Sequence, residues 1–178
     1  MRAFLVLVLS AFSLTSAAAQ SDKADSGNPA VNSTRMVWDV FTKYVTTVAE
    51  ELPESTYAYR PTPEVRSAGQ LVGHIANAQY MFCSTALGEP APQKEDIEKT
   101  RTRKAELVAA LKESTKYCNR AYGQTDRAAQ QSTKLFGEQR TRLFVLGLNA
   151  AHNAEHYGNL VTYLRLNGIV PPSSRQGT

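Results

Sequence analysis

After Glu155 the chain carries no aspartate or glutamate, and in all 178 residues it has two cysteines and three histidines. Each scarcity excludes something. "HNAEH", residues 152–156, fits H-x-x-E-H, the inverted zinc-protease signature in which the glutamate is the general base. Such an enzyme needs a further acidic ligand well downstream, and this chain has none, so the protease reading fails. No cysteine directly follows the apolar run from Ala3 to Leu14, which excludes a lipoprotein anchor, and the run is too short to span a bilayer. No block of one charge sign exists: 20 basic and 16 acidic residues leave a formal net charge of +4. The densest cluster, "EDIEKTRTRKAE", alternates in sign and reads as a solvated helix start, not a nucleic-acid track. No segment shows the alternation of a half-buried strand, and no period repeats.

What is present begins with "MRAFLVLVLSAFSLTSAAAQ". One basic residue, an apolar run and small residues ending in Ala17-Ala18-Ala19 have the layout of a cleaved secretory signal. The expected division is a signal peptide over 1–19, a flexible polar leader over 20–33, one helical domain over 34–172 and a tail over 173–178. The expected location is periplasmic or secreted, with no nucleic-acid partner and no stable membrane anchor. In an exported chain, two thiols are more often bonded than free, and Cys83 with Cys118 is the one pairing available.

Four helices are expected, making an all-α fold. The first runs from about Ser33 to Leu52, with Val37, Val40, Phe41, Tyr44, Val45 and Val48 as its apolar stripe, and Pro53 stops it. The second opens at Ser67, where Gln70 three residues on makes a capping box; Leu71, Ile75, Ala78 and Phe82 mark its inner face and Gly88 its end. The third spans about Thr102 to Gly123, with Leu107, Val108, Leu111, Thr115, Cys118 and Tyr122 inward. The fourth spans about Glu138 to Asn167, closed by Gly168 and Pro171-Pro172. The long polar connector between the second and third suggests a four-helix bundle with a crossover, those two helices parallel. Parallel helices would bring Cys83 and Cys118 to the same end, within reach of a disulfide.

His152 and His156 lie four positions apart, about 40° around a helix axis. Asn149, Asn159 and Tyr163 share their sector, flanked by Phe144 and Leu148 on one side and Leu146 and Leu160 on the other, so the pair is expected to point inward. Two readings stay open for such a cluster. One is a hydrogen-bonded core network with trapped water. The other is a metal site, because imidazoles at i and i+4 direct nitrogens to one point and His74 also sits on a core-facing position. Glu155, about 60° from His152, is either a surface ion-pair partner or a proton acceptor beside the site.

"YAYRPTPEVRSAGQLVGHIANAQ" and "AAHNAEHYGNLVTYLRLNGIVPP" together resemble the DinB-like (DinB/YfiT) superfamily. The likeness rests on Tyr57, Arg60, Pro61, Ser67, His74, His152, His156, Leu160, Leu164, Arg165 and Gly168. It implies a four-helix bundle with a crossover and a divalent metal (zinc, nickel or iron) on His74, His152 and His156. It also implies a metal-dependent hydrolase or a thiol transferase acting on a small molecule or thiol, and a homodimer. A non-catalytic metal- or ligand-binding module is the alternative.

Overall fold

The structure, a computed structural model, describes residues 27–175. The signal peptide and residues 20–26 of the leader lie outside them. The elements are α1 (Pro29–Glu51), α2 (Ala68–Leu87), α3 (Ile97–Thr100), α4 (Lys104–Ala121), α5 (Asp126–Ala129), β1 (Ser132–Leu135), β2 (Glu138–Thr141) and α6 (Arg142–Leu166). Single 3₁₀ turns lie at Glu54–Thr56 and Pro172–Ser174. Among the described residues no helix is long and apolar enough to cross a membrane.

α1, α2, α4 and α6 are the four long helices. α2 packs against α4 and α6, and α1 packs against the same two, so α1 and α2 occupy opposite corners. Along the α2–α4 seam, Gly73 faces Leu107, Gln79 donates to Ser114 and Cys83 meets Cys118. Those positions climb together, so α2 and α4 run parallel. Cys83 and Cys118 are joined in a disulfide with Cα atoms 5.2 Å apart, and both are fully buried.

Local signals account for most boundaries. The Ser67 hydroxyl accepts from the Gln70 amide at 3.2 Å, and the Gln70 side chain accepts from the Ser67 amide at 2.9 Å, completing the capping box on α2. Gly88 closes α2 at φ 74°, the left-handed geometry that a glycine adopts freely. α4 begins at Lys104 without a side-chain cap, two residues beyond Thr102.

Four expectations need correcting. α1 begins at Pro29, inside the segment assigned to the leader, because Asp126 caps it from a distant element: its carboxylate accepts from the Ala30 and Val31 amides at 3.0 and 2.9 Å. The buried face of α1 is Val31, Trp38, Thr42, Val45, Val48 and Ala49, whereas Val37 and Val40 are about half exposed. Thr42 enters the core because its hydroxyl accepts from the Asn153 amide at 3.0 Å, and Trp38 stacks on Tyr122 at 4.4 Å. Residues 138–141 are not the start of the last helix but strand β2, antiparallel to β1. Thr141 caps α6 instead, accepting from the Phe144 amide at 3.1 Å. Strands of four residues are too short to display an alternating pattern. Part of the expected tail is also structured: Ser173 accepts a hydrogen bond from the buried Tyr157 hydroxyl at 2.7 Å.

The buried side chains form two clusters along the bundle. Ile75 and Tyr157 belong to one, and Ala78 and Ala150 to the other. The α2–α6 seam at His74, His152 and His156 therefore lies at the boundary between them.

Candidate metal centre

The antiparallel seam of α2 and α6 brings the three histidines together. His152 Nε2 lies 3.1 Å from His74 Nε2 and 3.0 Å from His156 Nε2, and one nitrogen from each ring falls within 4.8 Å of the others. Of the pair expected to point inward, His156 is buried on the inner face of α6, whereas His152 is only half-buried. His156 shares that face with Val145, Leu146, Asn149, Asn153, Tyr157 and Leu160, while Phe144, expected to flank the pair, is 49% exposed. His152 is half-buried at its edge, and the cluster therefore opens toward solvent-accessible clefts.

Two of the rings have their tautomers set by neighbours. His74 Nδ1 lies 3.0 Å from a Glu98 carboxylate oxygen, and His156 Nδ1 lies 3.0 Å from the Asn159 side-chain carbonyl oxygen. Both partners are acceptors, so each Nδ1 carries the proton and each Nε2 presents a bare lone pair. Glu98 is held in turn. Its other oxygen accepts from Arg66 Nε at 2.8 Å, and α3 is pinned to α2 through Asn77, which accepts from the Ile97 amide at 3.0 Å and donates to Asp96 at 2.7 Å. Ile97 is the buried anchor of that polar connector. Gly73 permits the close approach: a Cβ there would stand 2.8 Å from the Glu98 Cα.

Two of the three nitrogen pairs have the spacing of ligands on one metal ion. Two nitrogens bound to one ion at about 2.0–2.1 Å stand about 2.9–3.4 Å apart at tetrahedral or octahedral angles, the range of both short pairs here. Without a cation, one His152 Nε2 proton could satisfy only one of the two lone pairs facing it. His152 Nδ1 is also buried and has no hydrogen-bond partner among the described residues. Three histidines in this arrangement could hold a metal ion.

Electrostatics favour the neutral form of two of the rings, His152 and His74. Burial, reinforced by the neighbouring His156 and His74, pushes His152 down to about 3 from 6.5. His74 is lowered chiefly by burial and then by Arg66 and His156, against the opposing pull of Glu98. A lowered imidazole leaves the unfolded chain binding more protons than the native one below the unfolded value. The stability associated with these rings is therefore complete above about pH 6.5 and is lost as pH falls toward 3. Melting temperatures of metal-free protein should be flat above pH 7 and decline below 6.5, and His152→Gln should flatten part of that slope. An unchanged slope in the variant would remove His152 as the cause.

Of the other residues singled out in the sequence, Asn159 orients His156, while Glu155 is exposed and makes no ion pair among the described residues. Tyr163 is buried and donates to the Arg66 carbonyl at 2.7 Å, tying α6 to the segment before α2. Asn149 stands apart from the histidines: it donates to the Tyr122 hydroxyl at 3.2 Å beside the Cys83–Cys118 disulfide. Above His156 lies an open cleft of about 780 Å³, lined among others by Arg60, Arg66, Glu98, Glu155 and Tyr163. Arg66 and Glu98 carry no local sequence signal for this place; only the path of the connector across α2 brings Glu98 to His74. Glu98→Ala should weaken divalent-metal binding about 10- to 100-fold in a titration, while leaving the helical content intact. Unchanged affinity would reduce Glu98 to a surface ion pair with Arg66.

Residues 37–160 match the DinB superfamily. The chain belongs to the DinB superfamily. It is 30% identical over 127 residues to YjoA, an uncharacterized protein of Bacillus subtilis strain 168, an alignment covering 66% of this chain and 78% of YjoA. The crystal structure of YjoA superposes with a TM-score of 0.65 at 24% identity, covering 85% of this chain and all of that one. A DinB-like protein from Bacillus cereus ATCC 10987 gives a TM-score of 0.69 at 16% identity, over 79% of this chain and 95% of that one. These superpositions show that the helical fold of this DinB-superfamily chain is the shared one.

Proposed function

We propose that this DinB-superfamily chain is an exported metalloprotein that holds one divalent ion (zinc, nickel or iron) on His74, His152 and His156. We further propose that it works as a metal-dependent hydrolase on a small-molecule substrate. The observation that carries the reading is the pair of fixed tautomers: Glu98 and Asn159 each take an Nδ1 proton, leaving the Nε2 atoms of His74 and His156 bare. Three neutral imidazoles leave at least one coordination position for another ligand, and a bound ion supplies the Lewis acidity that makes water or a thiol nucleophilic at neutral pH. The chain's own residues do the rest. Glu98 and Asn159 hold the rings in register, Arg60 and Arg66 line the adjoining cleft with positive charge, and Glu155 at its rim accepts a proton. Export would separate the chain from cytosolic thiols, which favours water as the nucleophile. The buried cysteine pair supports an oxidising compartment.

A panel of small esters and amides tests this on zinc-loaded and metal-stripped mature protein. Hydrolysis by the loaded form alone is expected, with Glu155→Gln lowering kcat/KM by about tenfold or more. A fully loaded protein that turns over nothing on the panel would mark a binding module instead.

A further inference from the structure

The histidines have a second neighbour that the proposed chemistry leaves unused. On the β-hairpin side lies a cleft of about 520 Å³ whose walls are Ala78, Met81, Phe82, Phe136 and Leu148. The rings of His74 and His152 also line it. Asn77 adds the one other polar side chain, and both of its amide atoms are already engaged, with Asp96 and with the Ile97 amide. An occupant therefore meets an almost wholly apolar wall, the parts of the two imidazoles that line it included. Small-molecule sites are mostly apolar pockets with a few polar groups, and here those groups are the nitrogens of the adjoining three-histidine cluster.

Phe136 makes the case specific. With Gly137 it forms the tip of the β1–β2 hairpin, and it is the one non-glycine at positive φ (51°) among the described residues. Asparagine or glycine suits that turn position, and a phenylalanine there works against the backbone. Burial does not compensate, since Phe136 is 73% exposed. Its ring instead stands edge-on to Phe82 at 6.3 Å, and Phe82 stands edge-on to His152 at 5.6 Å. The hairpin is fixed near its base by Thr133, whose hydroxyl donates to the Thr85 carbonyl at 3.0 Å, and beside its turn by the buried Leu135.

We infer that this cleft binds the aryl or branched-alkyl portion of the substrate whose polar group reaches the three-histidine centre, and that Phe136 sets that preference. The inference rests on the metal reading above and names the substrate class it would serve. Its test uses zinc-loaded mature protein carrying ¹³C-methyl methionine, titrated with benzohydroxamate and with acetohydroxamate. Benzohydroxamate should bind about tenfold tighter or more, because the phenyl ring leaves water. It should also shift the Met81 methyl signal and leave Met36, on α1, unmoved. Phe136→Asn, which relieves the turn, should hold or raise the melting temperature and keep the acetohydroxamate affinity, yet cut the aryl advantage about threefold or more. Equal affinities, an unmoved Met81, or an undiminished advantage in Phe136→Asn would each overturn the inference. Should the protein take up no zinc, the metal reading fails, and benzyl alcohol on metal-free protein then decides the cleft. A saturable Met81 shift upholds it and none overturns it. If removing residues 20–26 shifts Met81 with no ligand added, the leader is the occupant and the inference falls.

Discussion

Alanine at His152 is expected to take the mature protein from about one bound divalent ion per chain to fewer than one in ten, as measured by metal analysis after dialysis. His152 is the ligand to remove because its Nε2 alone stands within 3.1 Å of both other Nε2 atoms. Metal should also lose its effect on stability. An ion present at about 100 times its Kd adds about 2.7 kcal/mol, which raises the melting temperature of a domain this size by about 8 °C. That rise should vanish in the variant. The metal-free variant should remain folded, since the substitution removes an imidazole whose buried Nδ1 lacks a partner. An alanine variant that still binds one ion per chain would exclude His152 as a ligand.

Replacing both Cys83 and Cys118 with alanine should cost about 3–4 kcal/mol in urea unfolding. The loop they close spans a separation of 35 residues, and in the chain-entropy account that closure removes much of the freedom of the unfolded state. Against a total stability of about 5–15 kcal/mol, the loss should appear as a fall of about 10 °C in melting temperature. Metal affinity should change by less than about threefold, because Cys83 lies more than two turns of α2 beyond His74 and the bond does not touch the rings. A loss below about 1 kcal/mol would mean that packing, not the cross-link, holds α2 to α4.

The bundle is legible in the sequence because its helices announce themselves locally: the Ser67–Gln70 box, Gly88, and the Leu71–Ile75–Ala78–Phe82 stripe carry their own signals. The failures come from contacts made at long range. Nothing near Pro29 says that Asp126 will cap it, and nothing near Thr42 says that Asn153 will satisfy its hydroxyl in the core. The α1 stripe is misjudged for that reason: apolar spacing selects Val37 and Val40, while the helix turns its Trp38 and Thr42 side inward.

The site divides the same way. The three histidines can be picked out by type and spacing, and the structure gathers them. Glu98 cannot, because "EDIEKTRTRKAE" reads as a solvated run until Ile97 is seen to anchor it and Gly73 to admit it. Phe136 is equally silent: in a sequence, an exposed phenylalanine beside a glycine carries no sign of its positive φ or of the ring it faces.

X-ray absorption at the metal edge of the loaded, mature protein tests the central claim most directly. Three imidazole nitrogens and at least one oxygen donor at about 2.0–2.2 Å are predicted, with the imidazole count falling to two when His74 is replaced by alanine. A first shell holding fewer than three imidazoles, or one unaltered by that replacement, would contradict the account.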